Sequence, residues 1–164
     1  MIKTSINKVQ ITAHNMIRKG WIILNTIQEC MTTNVATVSS NQTIKEAAEI
    51  MSQDNVGSIP VVDNGQLKGI ITDRDITTRS TAQGGDINTP ISQVMSTNLV
   101  SGHTSMSTEE AAKVMAQHQI RRLPIVENNQ LVGIVALGDL ATNQMSDQAA
   151  GVALTNISEP NKTT

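Results

Sequence analysis

Two heptapeptides, Gly69 to Asp75 (GIITDRD) and Gly133 to Asp139 (GIVALGD), carry the residues best placed for chemistry. Each follows a hydrophobic run, opens with Gly-Ile and closes on an aspartate. In the first, Thr72 stands three residues ahead of Asp75; in the second that place is Ala136, ahead of Asp139. A hydroxyl three residues before a carboxylate is the spacing with which a helix N-terminus satisfies its free amides, and such a terminus also attracts anions. An aspartate at both corners therefore fits helix capping as well as ligand binding. Arg74 lies inside the first heptapeptide, where it can neutralise an anion or pair with Asp73 or Asp75. A second cationic pair, Arg121-Arg122, precedes Leu123-Pro124.

Catalytic chemistry finds little to work with. No nucleophile has an adjacent base, and Asp73 and Asp75 are two residues apart in one loop, whereas acid–base carboxylates come from separate segments into a shared pocket. The chain has no Gly-x-Gly-x-x-Gly or Walker sequence, so ATP hydrolysis is unsupported. His14, His103 and His118, even with Cys30, lack paired ligand spacing and read as scattered surface residues. The expectation is a protein that is not an enzyme and holds no cofactor or metal.

The elements that position these residues are written twice. Met31 and Met95, Pro60 and Pro124, Gly69 and Gly133, and Asp75 and Asp139 are all 64 apart, as are Glu46 and Glu110 and many residues between. A single offset held over nearly fifty residues is a tandem duplication. Thr43 to Glu46 and Ser107 to Glu110 are capping-box signatures. Behind the first, Ile44, Ala47, Ala48 and Met51 share one helical face, and Ala111, Ala112 and Met115 repeat the pattern. Then come a strand at Ile59-Pro60-Val61-Val62, a hairpin signal at Asn64-Gly65 (Asn128-Asn129 in the second copy) and a returning strand from Leu67 to Thr72, matched by Leu131 to Ala136. A second helix is expected from the aspartate that follows. Short strands at Val35 to Val38 and Leu99 to Ser101 complete a β-α-β-β-α unit.

One such unit buries too little surface to stand alone, so two copies sharing a core across a pseudo-twofold axis are expected. The boundaries read as an extension over 1–25, repeats over 26–80 and 90–145, a polar linker over 81–89 with Gly84-Gly85, and a polar, frayed tail over 146–164. The extension is a helical arm for dimerisation or a disordered segment, or translation begins near Leu24. The lead-in Pro90-Ile91-Ser92-Gln93-Val94 has its counterpart in Thr26-Ile27-Gln28-Glu29-Cys30.

Composition narrows the partners. Among 164 residues aromatic content is 1 %, Trp21 alone, so the core is aliphatic and the stacking platforms of single-strand nucleic-acid binders are missing. A formal net charge of −2 offers no general attraction to DNA or acidic membranes. No apolar run approaches the ~20 residues of a membrane helix, and the lone Cys30 is compatible with a reducing cytoplasm.

Taken together, two copies of strand, capped helix, hydrophobic-Pro-Val/Ile-Val strand, hairpin and Gly-hydrophobic-hydrophobic-x-x-x-Asp resemble a tandem pair of cystathionine-β-synthase (CBS) domains, a Bateman module, over about residues 26 to 145. The closest likeness is to small bacterial proteins made of little else. The resemblance implies an α/β intramolecular pseudo-dimer, assembled into homodimers, that binds an adenosine-containing ligand such as AMP, ADP or ATP as a regulatory sensor. It assigns Asp75 to the ribose hydroxyls, Thr72 and Arg74 to the phosphate, and Val38, Ile59 and Pro60 to an apolar adenine slot. It also assigns Arg121 and Arg122 to phosphates in the central cleft, unless they are ordinary surface arginines. Pro124 and Asp139 would form a second, weaker site. Two other readings stay open: a ligand-free dimerisation or partner-binding module, and a metal- or redox-linked stress protein using Cys30 and the histidines.

Overall fold

The computed structural model describes residues 26–142 and 147–158. Expectations for residues 1–25 and for His14 fall outside them. Each repeat contributes an antiparallel hairpin. The first joins β1 (Ser58–Asp63) to β2 (Gln66–Thr72), and the second joins β3 (Arg122–Glu127) to β4 (Gln130–Ala136). Both turns use left-handed residues, Asn64 (φ 51°) and Gly65 (φ 78°) in one, Asn128 (φ 50°) and Asn129 (φ 63°) in the other. That geometry matches the twist of paired strands. The hairpins carry bulges at matching places, Val61/Val62 and Ile125/Val126.

The strand order is β1-β2-β4-β3, and the two hairpins meet through the single antiparallel pair Gln66↔Gln130. Because β2 and β4 touch only where each begins, they run away from the junction in opposite directions. Their far ends, Thr72 and Ala136, lie on opposite sides of the pseudo-axis.

Helices α1 (Ile44–Gln53) and α3 (Thr108–His118) start at the expected capping boxes, with Thr43 Oγ1 accepting from the Glu46 amide and Ser107 Oγ from that of Glu110. Between them, α2 (Asp73–Asp75) is one turn long and passes into a π-helical turn, Ile76–Ser80. Its counterpart α4 (Leu137–Thr142) is followed by α5 (Asp147–Ser158). These helices begin directly after the strand, so Asp75 and Asp139 sit inside the first turn rather than at its start.

Three expectations need correction. The short strands before α1 and α3 reduce to single parallel bridges, Val38↔Val61 and Gly102↔Ile125. The tail is not frayed throughout, because α5 packs Ala153 into the core of the second repeat. That packing also separates two alanines at matching positions: Ala112 is buried, whereas Ala48 is exposed.

The repeats also exchange their lead-ins. Ile27 is fully buried in the core of the second repeat, with Met115, Leu123, Ile125 and Val135. Ile91 and Val94 complete the core of the first, with Ile44, Ile59, Val61 and Ile71. Backbone bonds hold the exchange from both sides: Ile27 N donates to Met106 O at 2.9 Å and Ile91 N to Gln42 O at 2.8 Å. Further along, Thr32 bridges Ile134 while Ser96 bridges Ile70. Each arm thus adds a short edge to the partner repeat's hairpin. The linker contributes as well, since Thr89 O and Ile87 O accept from the first two amides of α1 at 3.0 and 3.2 Å. These are donors that no residue inside the helix can satisfy.

Candidate functional site: two strand-to-helix corners

At the first corner Thr72 and Asp75 cap one another. Thr72 Oγ1 accepts from the Asp75 amide at 3.0 Å and donates to Asp75 Oδ2 at 2.7 Å; the Thr72 amide donates to the same oxygen at 3.1 Å. The carboxylate is fixed at the mouth of α2 and only 8 % of the residue is exposed. Its other oxygen, Oδ1, lies 3.4 Å from Nε of Arg79, whose side chain is 47 % exposed. Arg79 was not singled out from the sequence, although its place four residues after an aspartate on a helix was a usable signal. Arg74 is exposed, and its amide donates to Asp73 Oδ1 at 2.6 Å.

Around this pair the strands supply the floor. Ser58 faces Thr72 in register, and its hydroxyl is buried without a hydrogen-bond partner. Gly57 lets the Asp73 carboxylate lean in, 3.2 Å from where a Cβ would stand, and its carbonyl accepts from the Asp73 amide at 3.1 Å. Ile59 pairs with Ile71 beside the corner, but Val38, Ile59 and Pro60 are packed in the core. Val38 N already donates to Pro60 O.

The second corner shares this backbone and differs in chemistry. The Ala136 amide donates to Asp139 Oδ2 at 3.0 Å, and Ala136 lacks the hydroxyl that Thr72 offers at the first corner. Leu137 replaces Asp73, and its amide donates to Arg121 O at 2.9 Å. Arg122 pairs with Ala136, and the buried Pro124 with Ile134. The register therefore places Arg121 and Arg122 beside Asp139, not beside Thr72 and Asp75. Strand direction sets this placement: residues just before β3 lie against the end of β4, across the axis from the end of β2. Cys30, on the exchanged arm, is close enough to feel this corner; burial above all, and then the charges of Asp139 and Glu29, push its thiol up from the ordinary value.

A cavity of about 240 Å³ opens where the hairpins meet, lined by Gln66, Leu67, Leu99, Ser101, Val126 and Asn129. It contains none of the corner residues and lies about a strand's length, ~20 Å, from Thr72. Small-molecule sites usually span ~300–1,000 Å³, so this cavity is small for a nucleotide. Among the described residues no group of three or more His, Cys, Asp or Glu is placed to hold a metal ion, and no helix is long and apolar enough to cross a membrane.

The sequence model of the CBS domain matches residues 27–81 and 91–146. The chain belongs to the CBS domain family. It is 66 % identical over 138 residues to the CBS domain-containing protein YhcV of Bacillus subtilis, covering 84 % of this chain and 99 % of that protein. The crystal structure of Hypoxic Response Protein I with two coordinated zinc ions is similar at 32 % identity and a TM-score of 0.68, over 73 % of this chain and 98 % of the other. The CBS domain pair of MJ0100, in complex with 5′-methylthioadenosine and S-adenosyl-L-methionine, matches at 28 % identity and a TM-score of 0.68, over 76 % and 98 %. The exchanged arms and the order β1-β2-β4-β3 are thus those of a CBS pair, a regulatory module.

Proposed function

We propose that this CBS pair binds an adenosine-containing ligand, AMP, ADP or ATP, at the Thr72–Asp75 corner and performs no chemistry on it. The observation that carries the reading is the state of Asp75. One oxygen is held by Thr72, while the other, among the described residues, meets only a half-exposed arginine at the edge of hydrogen-bonding distance. A ribose diol is a suitable replacement for that arginine, and hydrogen bonds to a charged acceptor contribute ~1.5–3 kcal/mol each. Arg74 and the start of α2 supply positive charge for phosphate, and Ser58 an unused hydroxyl. The adenosine ligands of the MJ0100 pair support the same ligand class.

The Asp139 corner, with Pro124 beneath it, is the second and weaker site, and Arg121 and Arg122 serve it rather than the first. The protein acts in the cytoplasm as a homodimer, a state that light scattering would check. It signals to a protein target only if ligand binds two conformations unequally.

A thermal-shift panel of AMP, ADP, ATP, NAD, S-adenosylmethionine and zinc tests this. Saturation at 100 times Kd stabilises by ~2.7 kcal/mol, several degrees for a chain of this size. No shift with any adenosine ligand at millimolar concentration rejects the sensor reading. A shift with zinc alone would favour the metal-linked reading, to which the two zinc ions of the similar Hypoxic Response Protein I lend weight.

A further inference from the structure

We infer that Arg79 ties the state of the Asp75 carboxylate to the arm through which the second repeat docks on the first. The guanidinium spans both: Nε lies 3.4 Å from Asp75 Oδ1, and Nη1 donates to Val94 O at 2.9 Å. Val94 is buried at the end of the turn that begins with Ile91, in the arm that completes the first repeat's core. Two residues on, Ser96 and Ile70 exchange backbone bonds of 2.9 and 3.0 Å. One side chain therefore clasps the corner to a segment that is covalently the start of the other repeat.

The clasp has two anchors of unequal kind. The carboxylate supplies charge, and the carbonyl supplies direction. A group that takes Oδ1 removes the charged anchor and leaves a half-exposed arginine held by one carbonyl. The arm keeps its buried side chains and backbone bonds but loses one tie, and its local opening becomes correspondingly easier. Occupancy of the first corner is thus coupled to the joint between repeats. The ligand-dependent half of this inference rests on the adenosine reading above; the link between Asp75 and the arm does not.

Hydrogen exchange of the full chain reads the arm directly, at the amides of Ile70, Val94, Met95 and Ser96. Asp75→Asn keeps an oxygen for Thr72 but removes the charge facing Arg79. Asp75→Asn and Arg79→Gln should each speed exchange at these amides by roughly two- to fivefold, with β3 and β4 unchanged. The double variant should exchange no faster than Arg79→Gln alone, because that substitution already breaks the link that Asp75→Asn weakens. Fully additive effects, or no change in either single variant, would overturn the inference. Saturating AMP should speed the same amides in the wild type and leave Arg79→Gln unaffected. Binding without that change would also overturn it. A non-additive cycle with no AMP binding would instead reject the adenosine reading and sustain the link.

Discussion

The sulfur of Met95 lies 2.8 Å from where a Cβ at residue 69 would stand, and the carbonyl oxygen of Ser96 lies 2.9 Å from the same point. Gly69 is therefore the seat of the exchanged arm, and Gly133 repeats the relationship with Met31 at 2.9 Å and Thr32 O at 3.0 Å. What reads in the sequence as the opening of a ligand motif is first a packing requirement. Gly69→Ala should cost ~1–3 kcal/mol and lower Tm by several degrees. Met95→Ala should not rescue it, because the Ser96 carbonyl stays in place. Gly138→Ala is the control: nothing lies within 4 Å of its Cβ position on α4, and the change should be neutral or stabilising by up to ~1 kcal/mol. Equal Tm values for Gly69→Ala and the wild type would show that the arm does not seat there.

Thr72 and Ala136 invite an exchange of corners. Thr72→Ala removes the acceptor for the Asp75 amide and should cost ~1 kcal/mol of stability. Ala136→Thr places a hydroxyl near Asp139, which already accepts from the backbone there, and should gain a similar amount. Denaturant midpoints at constant m-value decide this. A Thr72→Ala midpoint equal to the wild type would mean that the cap contributes nothing.

Much of the local structure was legible in the sequence because it is set by short-range chemistry. Thr43 with Glu46, Ser107 with Glu110, and Asn64-Gly65 each determine a cap or turn from adjacent residues. The arm exchange was not legible. Ile27 and Ile91 would be buried equally well whether each arm folded on its own repeat or on the other, and a 64-residue period treats the two topologies alike. The corner that Arg121 and Arg122 flank was not legible for a related reason. Their chemistry was readable, but their corner depends on the direction of β2 and β4 from the Gln66↔Gln130 junction. Helix α5 has no repeat partner, and its Ser, Thr and Asn content masked the apolar contact made by Ala153.

The capping carboxylates also set an acid limb. The Thr43 amide foremost, with the Thr43 hydroxyl and Gln42, holds Glu46 below its ordinary value of 4.5, and the Ser107 amide does the same for Glu110. The Ser40 amide lowers Asp63 from 3.8. A carboxylate with a depressed folded value contributes stability that is fully present above the unfolded value and lost as pH falls through the folded one. Unfolding free energy should therefore decline below about pH 4.5, and Glu46→Gln should flatten that decline. An unchanged slope between pH 5 and pH 3 in Glu46→Gln would remove Glu46 from the acid limb.

Separate corners predict separable binding. Arg74→Ala should weaken the first ATP-binding step more than binding of adenosine, whereas Arg121→Ala and Arg122→Ala should leave that step unchanged and weaken only a second one. Two-site titrations distinguish these outcomes. A tenfold loss in the first step on Arg121→Ala would bring the arginines back to the Thr72 corner and contradict the register.

The claim that the Thr72–Asp75 corner holds the ribose of an adenosine ligand is tested most directly by titration calorimetry of AMP into the wild type and Asp75→Asn. This variant keeps an acceptor for Thr72 and loses the charge offered to the diol. Loss of charged hydrogen bonds of ~1.5–3 kcal/mol predicts wild-type binding and a Kd weakened roughly ten- to a hundredfold in Asp75→Asn. No binding to the wild type at millimolar AMP, or equal Kd values for the two proteins, would contradict it.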